Sequence, residues 1–180
     1  MSTSSLQFFI RAIGSAWTAE RSDLVNVCRS ALAKLAAAGP GEAWVAALLD
    51  ERPASRELHR DQECGFVLLA HGEHEGLYRP PHDHGRAWVV YAVQSGTLEV
   101  GTYERITGPD GIIRLAKLGR TLLRAGEARA YLPGEIHDTR CLSDQALLLR
   151  FTERDLRYED QVEGRVTRFA RVGEHWVAPR

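Results

Sequence analysis

YRPPHDHGRAWVVYAVQSG, residues 78–96, places two prolines, two histidines one residue apart and a run of strand-forming residues in one short stretch. Pro80 and Pro81 hold φ near about −65° and donate nothing to a sheet ladder, so the chain approaches the histidines extended. In an extended strand side chains at i and i+2 share a face. His82 and His84 are therefore expected to present two imidazoles together, with Asp83 turned away. Such a pair is half of a site for iron, nickel, zinc, manganese or copper. Taken alone it is also what two surface histidines look like.

Working outward, the texture from about Ser55 onward is short β-rich runs punctuated by glycine: residues 64–71, 87–94, 97–106, 112–118, 128–132, 137–142 and 145–151. Short strands recurring every 8–12 residues or so predict an all-β sandwich or barrel. GRVTRFARVGEHWVAP, residues 164–179, reads as one last strand or an edge hairpin. The chain before this region, from about Leu6 to Leu49, reads as helix. Leu24, Val25, Cys28, Leu32 and Leu35 recur at three- and four-residue steps, with Ser22 or Asp23 as cap and Gly39-Pro40 as stop. Residues 41–53 form a shorter helix halted by Pro53. The expected organisation is a helical segment, 1–54, packed on a β-barrel, 55–180, with no internal repeat.

Composition narrows the partners. Among 180 residues, Lys+Arg is 23 and Asp+Glu is 24, a formal charge of −1. Nucleic-acid surfaces leave a basic excess, so a small molecule or another protein is expected and nucleic acid is not. Cys28, Cys64 and Cys141 form no CxxC pair and read as reduced thiols. No apolar run approaches the roughly 20 residues of a membrane span, so no membrane partner and a cytoplasmic location are expected.

Gly76, His82, His84 and Gly96 resemble the first motif of the cupin superfamily, Gly-x5-His-x-His-x3–4-Glu-x6-Gly. GEARAYLPGEIH, residues 126–137, is similar to the second, through Gly134 and His137; its proline is displaced to Pro133 and its closing asparagine is Cys141. The resemblance implies a mainly β double-stranded β-helix, a jelly-roll barrel. It implies one divalent metal on His82, His84 and His137, with His137 approaching from across the barrel. Fe(II) is the expected ion, with Zn, Ni or Mn as alternatives.

The motif glutamate falls at Val89. A site of three neutral histidines keeps the ion's full charge and leaves positions open to an anion and dioxygen. Cupins lacking that glutamate include the small-molecule thiol dioxygenases, and PPHDHGRAW and LHRDQECGFVLLAHGEHEG look like that branch. The resemblance spans about Leu58 to Leu156. It breaks at the branch's Ser-x-His-x-Tyr relay, whose positions hold Leu148, Arg150 and Thr152. Val89 also removes the cysteine that some members crosslink to tyrosine.

If residue 89 faces the cavity, so do Tyr91 and Val93, and inward relay positions would bring Arg150 there. An arginine in an apolar strand needs an anion; a substrate carboxylate or a protein carboxylate near solvent would each serve. Arg60 is the branch's candidate carboxylate receptor. Tyr91 would hydrogen-bond substrate or simply pack. Trp88 is expected in the core, and His71 and His74 in a solvated turn in preference to an accessory site. Asp138 is expected to face away from His137, and Cys141 to lie near the site. The resulting expectation is an O2-using iron dioxygenase acting on a small anionic substrate such as a thiol acid, with a chelating diketone equally compatible. A non-catalytic binding cupin and a Zn or Ni hydrolase or isomerase are the rivals. Pairing through exposed sheet edges makes a homodimer a further expectation.

Overall fold

The computed structural model describes residues 3–17 and 23–178. Three helices come first: α1 (Ser5–Trp17), α2 (Leu24–Ala36) and α3 (Ala43–Glu51). Each is short and is held by its apolar stripe rather than by propensity. α1 buries Phe9, Ile13 and Ala16, and α2 buries Cys28, Leu32, Leu35 and Ala36. Asp23 stands at the N-cap position of α2, while Ser22 lies outside the described residues. α3 ends where Arg52 turns left-handed at φ 46°, since a residue preceding proline is disfavoured in the helical region.

The strands are β1 (Arg56–Arg60), β2 (Val67–His74), β3 (Tyr78–His82), β4 (Val89–Ser95), β5 (Thr97–Thr107), β6 (Ile113–Arg124), β7 (Ala128–Tyr131), β8 (Ile136–Cys141), β9 (Gln145–Thr152), β10 (Ala170–Val172) and β11 (His175–Val177). One sheet has the order β1-β2-β9-β4-β7 and the other β10-β11-β6-β5-β8-β3. The cores of the two sheets, β2-β9-β4-β7 and β3-β8-β5-β6, have the order of an antiparallel jelly roll built from two Greek keys. The fold is therefore mainly β, a jelly-roll barrel with an N-terminal helical segment, as the sequence leads one to expect.

Strand parity explains the apolar runs. In β4, β9 and β2, the residues Val90, Ala92, Leu149, Phe151, Leu68 and Ala70 face the helices and pack with Phe9, Ile13 and Leu32. Trp88 joins this cluster at 8% exposure, a core residue as expected. The alternate residues Val89, Tyr91, Val93 and Leu148 fill the barrel with Leu98, Val100 and Tyr131. A sheet covered on both faces needs apolar residues at every position, which is why 87–93 alternates so little.

β1 and β3 do not figure among the expected strands. β3 carries the two prolines and pairs with β8 through a register shift between Arg79 and His82. Its other edge is covered by the chain near the C-terminus: Phe169 N–H donates to Pro81 O at 2.9 Å and Asp83 N–H to Thr167 O at 3.1 Å. That segment continues into the β10–β11 hairpin, which pairs with β6. The expected edge hairpin thus joins both ends of its sheet. No helix among the described residues is long and apolar enough to cross a membrane.

Candidate metal centre

His82 is the last residue of β3 and lies directly opposite His137 on β8. Residues so paired on adjacent strands bring their side chains together. His137 therefore comes from the neighbouring strand and not from across the barrel. His84 is also placed differently from the expectation, because the strand ends at His82 and His84 sits in the following turn. Asp83 anchors that turn. Its carboxylate accepts from Gly85 N–H at 3.0 Å and Thr167 N–H at 2.9 Å, and pairs with Arg105. An Asp-x-Gly turn of this kind is legible in Asp83-His84-Gly85, with Gly85 at φ 63°.

The three histidines offer nitrogens that all lie within 4.8 Å of one another. His82 Nδ1 is 2.9 Å from Pro80 O. A carbonyl only accepts, so Nδ1 carries the hydrogen and Nε2 keeps its lone pair. His84 Nδ1 and both nitrogens of His137 are buried with no hydrogen-bond partner. Buried polar atoms are normally bonded, because leaving them bare costs free energy. A divalent ion would take one lone pair from each imidazole, and imidazole is a ligand that suits iron, zinc or nickel. The residues present fit such an ion.

Burial pushes the pKa of all three imidazoles down, His84 and His137 furthest, and each is disfavoured as a cation by its neighbours. Tyr91 hydroxyl is 3.3 Å from His84 Nε2, and its ring meets His137 edge-on. Tyr131 stacks on His137 with centroids 3.9 Å apart. Tyr131 has no motif to mark it; only its inward position in β7, opposite Val89, identifies it.

A cavity of about 520 Å³ opens beside His82 and His84, lined by Tyr91, Leu148, Arg150 and Thr152 among others. Leu148, Arg150 and Thr152 thus all face it. Arg150 pairs in register with Tyr91 on one side and Leu69 on the other. It has no carboxylate partner among the described residues, and its Nε is buried and unbonded. Arg60 lies at the rim of the same cavity but is already committed. It contacts Asp155 at 2.7 Å and Glu57 at 2.8 Å, so a ligand carboxylate would compete with two protein carboxylates there.

Two further residues are placed as follows. Asp138 faces away from His137, accepting from Tyr78 and Tyr103 hydroxyls and Gly101 N–H. Cys141 lies in the barrel interior with Sγ 3.2 Å from Ser143 O. His71 corrects an expectation. It is on β2, only 8% exposed, and lines the cavity; His74 alone is exposed at the strand's end. The strand persists because Gly72 lets the chain at Pro53 approach closely, with its N–H donating to Pro53 O at 2.8 Å.

Burial also pushes His71 down to about 3, with Arg150 alongside. The imidazoles of His71, His84 and His137, the three held furthest down, stay neutral when folded but protonate near 6.5 when unfolded. Below about pH 6.5 the unfolded chain then binds more protons, so stability falls as pH falls. The metal-free protein is expected to lose up to about 1.4 kcal/mol per pH unit for each imidazole kept neutral. Urea midpoints at pH 7.5 and 5.5 check this, and equal midpoints would contradict it.

No family model matches the chain, and no curated protein matches it. Solved structures that resemble it include the cupin domain of Cnp3 from Schizosaccharomyces pombe, at 11% identity over 61% of this chain and 69% of that one, TM-score 0.44. Oxalate oxidase in complex with glycolate is similar at 20% identity over 56% and 51%, TM-score 0.43. Procruciferin, an 11S globulin from Brassica napus, is similar at 16% identity over 49% and 21%, TM-score 0.40. The chain thus spans about half of the oxalate oxidase chain and a fifth of procruciferin.

Proposed function

We propose that the protein is a mononuclear Fe(II) dioxygenase that oxidises a small thiol carboxylate to its sulfinate. The observation that carries this reading is the meeting of two unsatisfied sets in one place. Unpartnered imidazole nitrogens of His84 and His137 stand beside His82, and the cavity next to them holds Arg150, which has no carboxylate partner among the described residues. The first set calls for a cation and the second for an anion.

When bound, the iron would supply a Lewis acid and a position for dioxygen. Arg150 would hold the substrate carboxylate through its planar fork, in a geometry a lysine could not reproduce. Tyr91, with its pKa raised by burial, keeps its proton and can donate a hydrogen bond to the reacting end of the ligand. Leu69, Leu148 and Val67 wall the cavity with apolar surface, which strengthens every charge interaction inside. The net change adds both atoms of O2 to the sulfur of RSH, giving RSO2H, with no other reductant.

Iron-loaded protein given 3-mercaptopropionate is expected to consume one O2 per sulfinate formed. Arg150→Met should raise KM for that substrate by roughly ten- to a hundredfold, the scale of a lost charge-assisted pair, while leaving iron content unchanged. Full iron occupancy without thiol-dependent oxygen uptake would sink the dioxygenase and leave a binding protein.

A further inference from the structure

His71 is not needed for the metal site, and its own surroundings leave one of its nitrogens unexplained. Nδ1 lies 3.2 Å from Ala54 O. The carbonyl can only accept, so the hydrogen resides on Nδ1 and Nε2 is a bare lone pair. That Nε2 is buried and has no partner, on a side chain only 8% exposed that lines the cavity beside the three histidines. Arg150 sits diagonally from it: Leu69 and His71 of β2 stand opposite Arg150 and Leu148 of β9. Diagonal neighbours of this kind are within reach of long side chains.

We infer that His71 Nε2 and Arg150 together form a subsite for a small carboxylate that bears a neutral hydrogen-bond donor, a hydroxyl, next to its acid group. Arg150 takes the carboxylate and His71 accepts from the hydroxyl. An ammonium is disfavoured at that position because burial penalises a second cation beside Arg150. With its basicity so reduced, His71 accepts a hydrogen bond and does not take the proton. Sequence spacing conceals this residue, since only the course of β2 turns it inward. The inference deepens the dioxygenase reading by naming a substrate class, a hydroxylated acid over a simple or an amino acid. It rests on that reading only for Arg150 as the carboxylate receptor.

The test is calorimetric titration of the iron-loaded protein under anaerobic conditions with three matched acids: propionate, lactate and alanine. Lactate is expected to bind five- to tenfold more tightly than propionate, the scale of one net neutral hydrogen bond, and alanine no better than propionate. His71→Phe should abolish the lactate preference without changing propionate affinity, and His71→Gln, which restores an acceptor oxygen, should recover part of it. The 15N resonance of His71 Nε2 should move further on adding lactate, which bonds it, than on adding propionate, which reaches only Arg150. Equal binding of lactate and propionate by the unmodified protein would overturn the subsite even if the His71 variants fail to fold. So would failure of all three acids to bind. Lactate preference in a protein that oxidises no thiol would keep the subsite and sink the dioxygenase. Thiol oxidation without lactate preference would do the reverse.

Discussion

His137→Ala, purified without a metal-binding tag, is expected to fall from about one metal ion per chain to less than a tenth of that. His137 is wholly buried at the meeting point of β8 and β3, with both nitrogens unpartnered. Among the described residues nothing bonds either nitrogen, and an ion would engage one of them. Removing one of three imidazoles from such a set leaves two, and even the loss of outer partners of a ligand typically costs 10–100-fold in affinity. The metal-free variant should nonetheless fold. Deleting the imidazole opens a cavity against Tyr131, which destabilises, but it also removes two bare polar atoms from the interior, which stabilises. The two effects oppose each other. The unmodified protein should gain about 2.7 kcal/mol when the ion is at a hundred times its Kd, and the variant should gain nothing. Elemental analysis beside thermal melts with and without Fe(II) checks both statements. A variant that retains metal at one per chain would show that the ion sits elsewhere.

Gly96→Ala is expected to destabilise the fold by roughly 2–4 kcal/mol, combining the left-handed backbone penalty with a steric clash. Gly96 lies in the turn between β4 and β5 at φ 83°. A Cβ built there would lie 2.4 Å from Gln145 O and 2.7 Å from Ala146 Cβ. The first of these is backbone of β9, which cannot yield without disturbing the strand that carries Arg150. Gly134→Ala is the control. It has nearly the same φ, 81°, yet nothing lies within 4 Å of its would-be Cβ, so only the backbone part, about 1–2 kcal/mol, should remain. Urea denaturation of both variants measures the difference. Equal losses would mean that the close approach of β9 is not what requires glycine at position 96.

The comparison of these two glycines shows how far sequence reading reaches. A motif can mark Gly96, but the reason for it lies in a strand about fifty residues later. The barrel was legible because β4 and β9 are apolar on both faces and the turns between strands are rich in glycine. β3 was not, because its prolines read as an approach to a strand; only pairing with β8 and with residues 167–169 makes them part of a sheet. The pair His82 and His84 was found through strand alternation, although His84 is in fact set by the Asp83 turn. Arg60 and Arg150 are the same residue type on strands of one sheet. The fold brings two carboxylates to the first and, among the described residues, none to the second. No local spacing distinguishes them, because the deciding partner, Asp155, is 95 positions from Arg60.

The segment that covers the β3 edge also fixes the order in which this molecule can be built. Asp83, which sets the turn holding His84, is tied to Thr167 across 84 positions. Closing so long a loop carries its entropy cost before the contact returns anything, so such links form late. Before that link closes, the barrel strands through β9 can already pair. The candidate ligands His82 and His137 would then meet as neighbours on β3 and β8, with His84 on a turn held by Asp83's contacts to Gly85 and Arg105 alone. The turn that presents His84 therefore takes its finished geometry only once residues 167–169 have docked on the β3 edge.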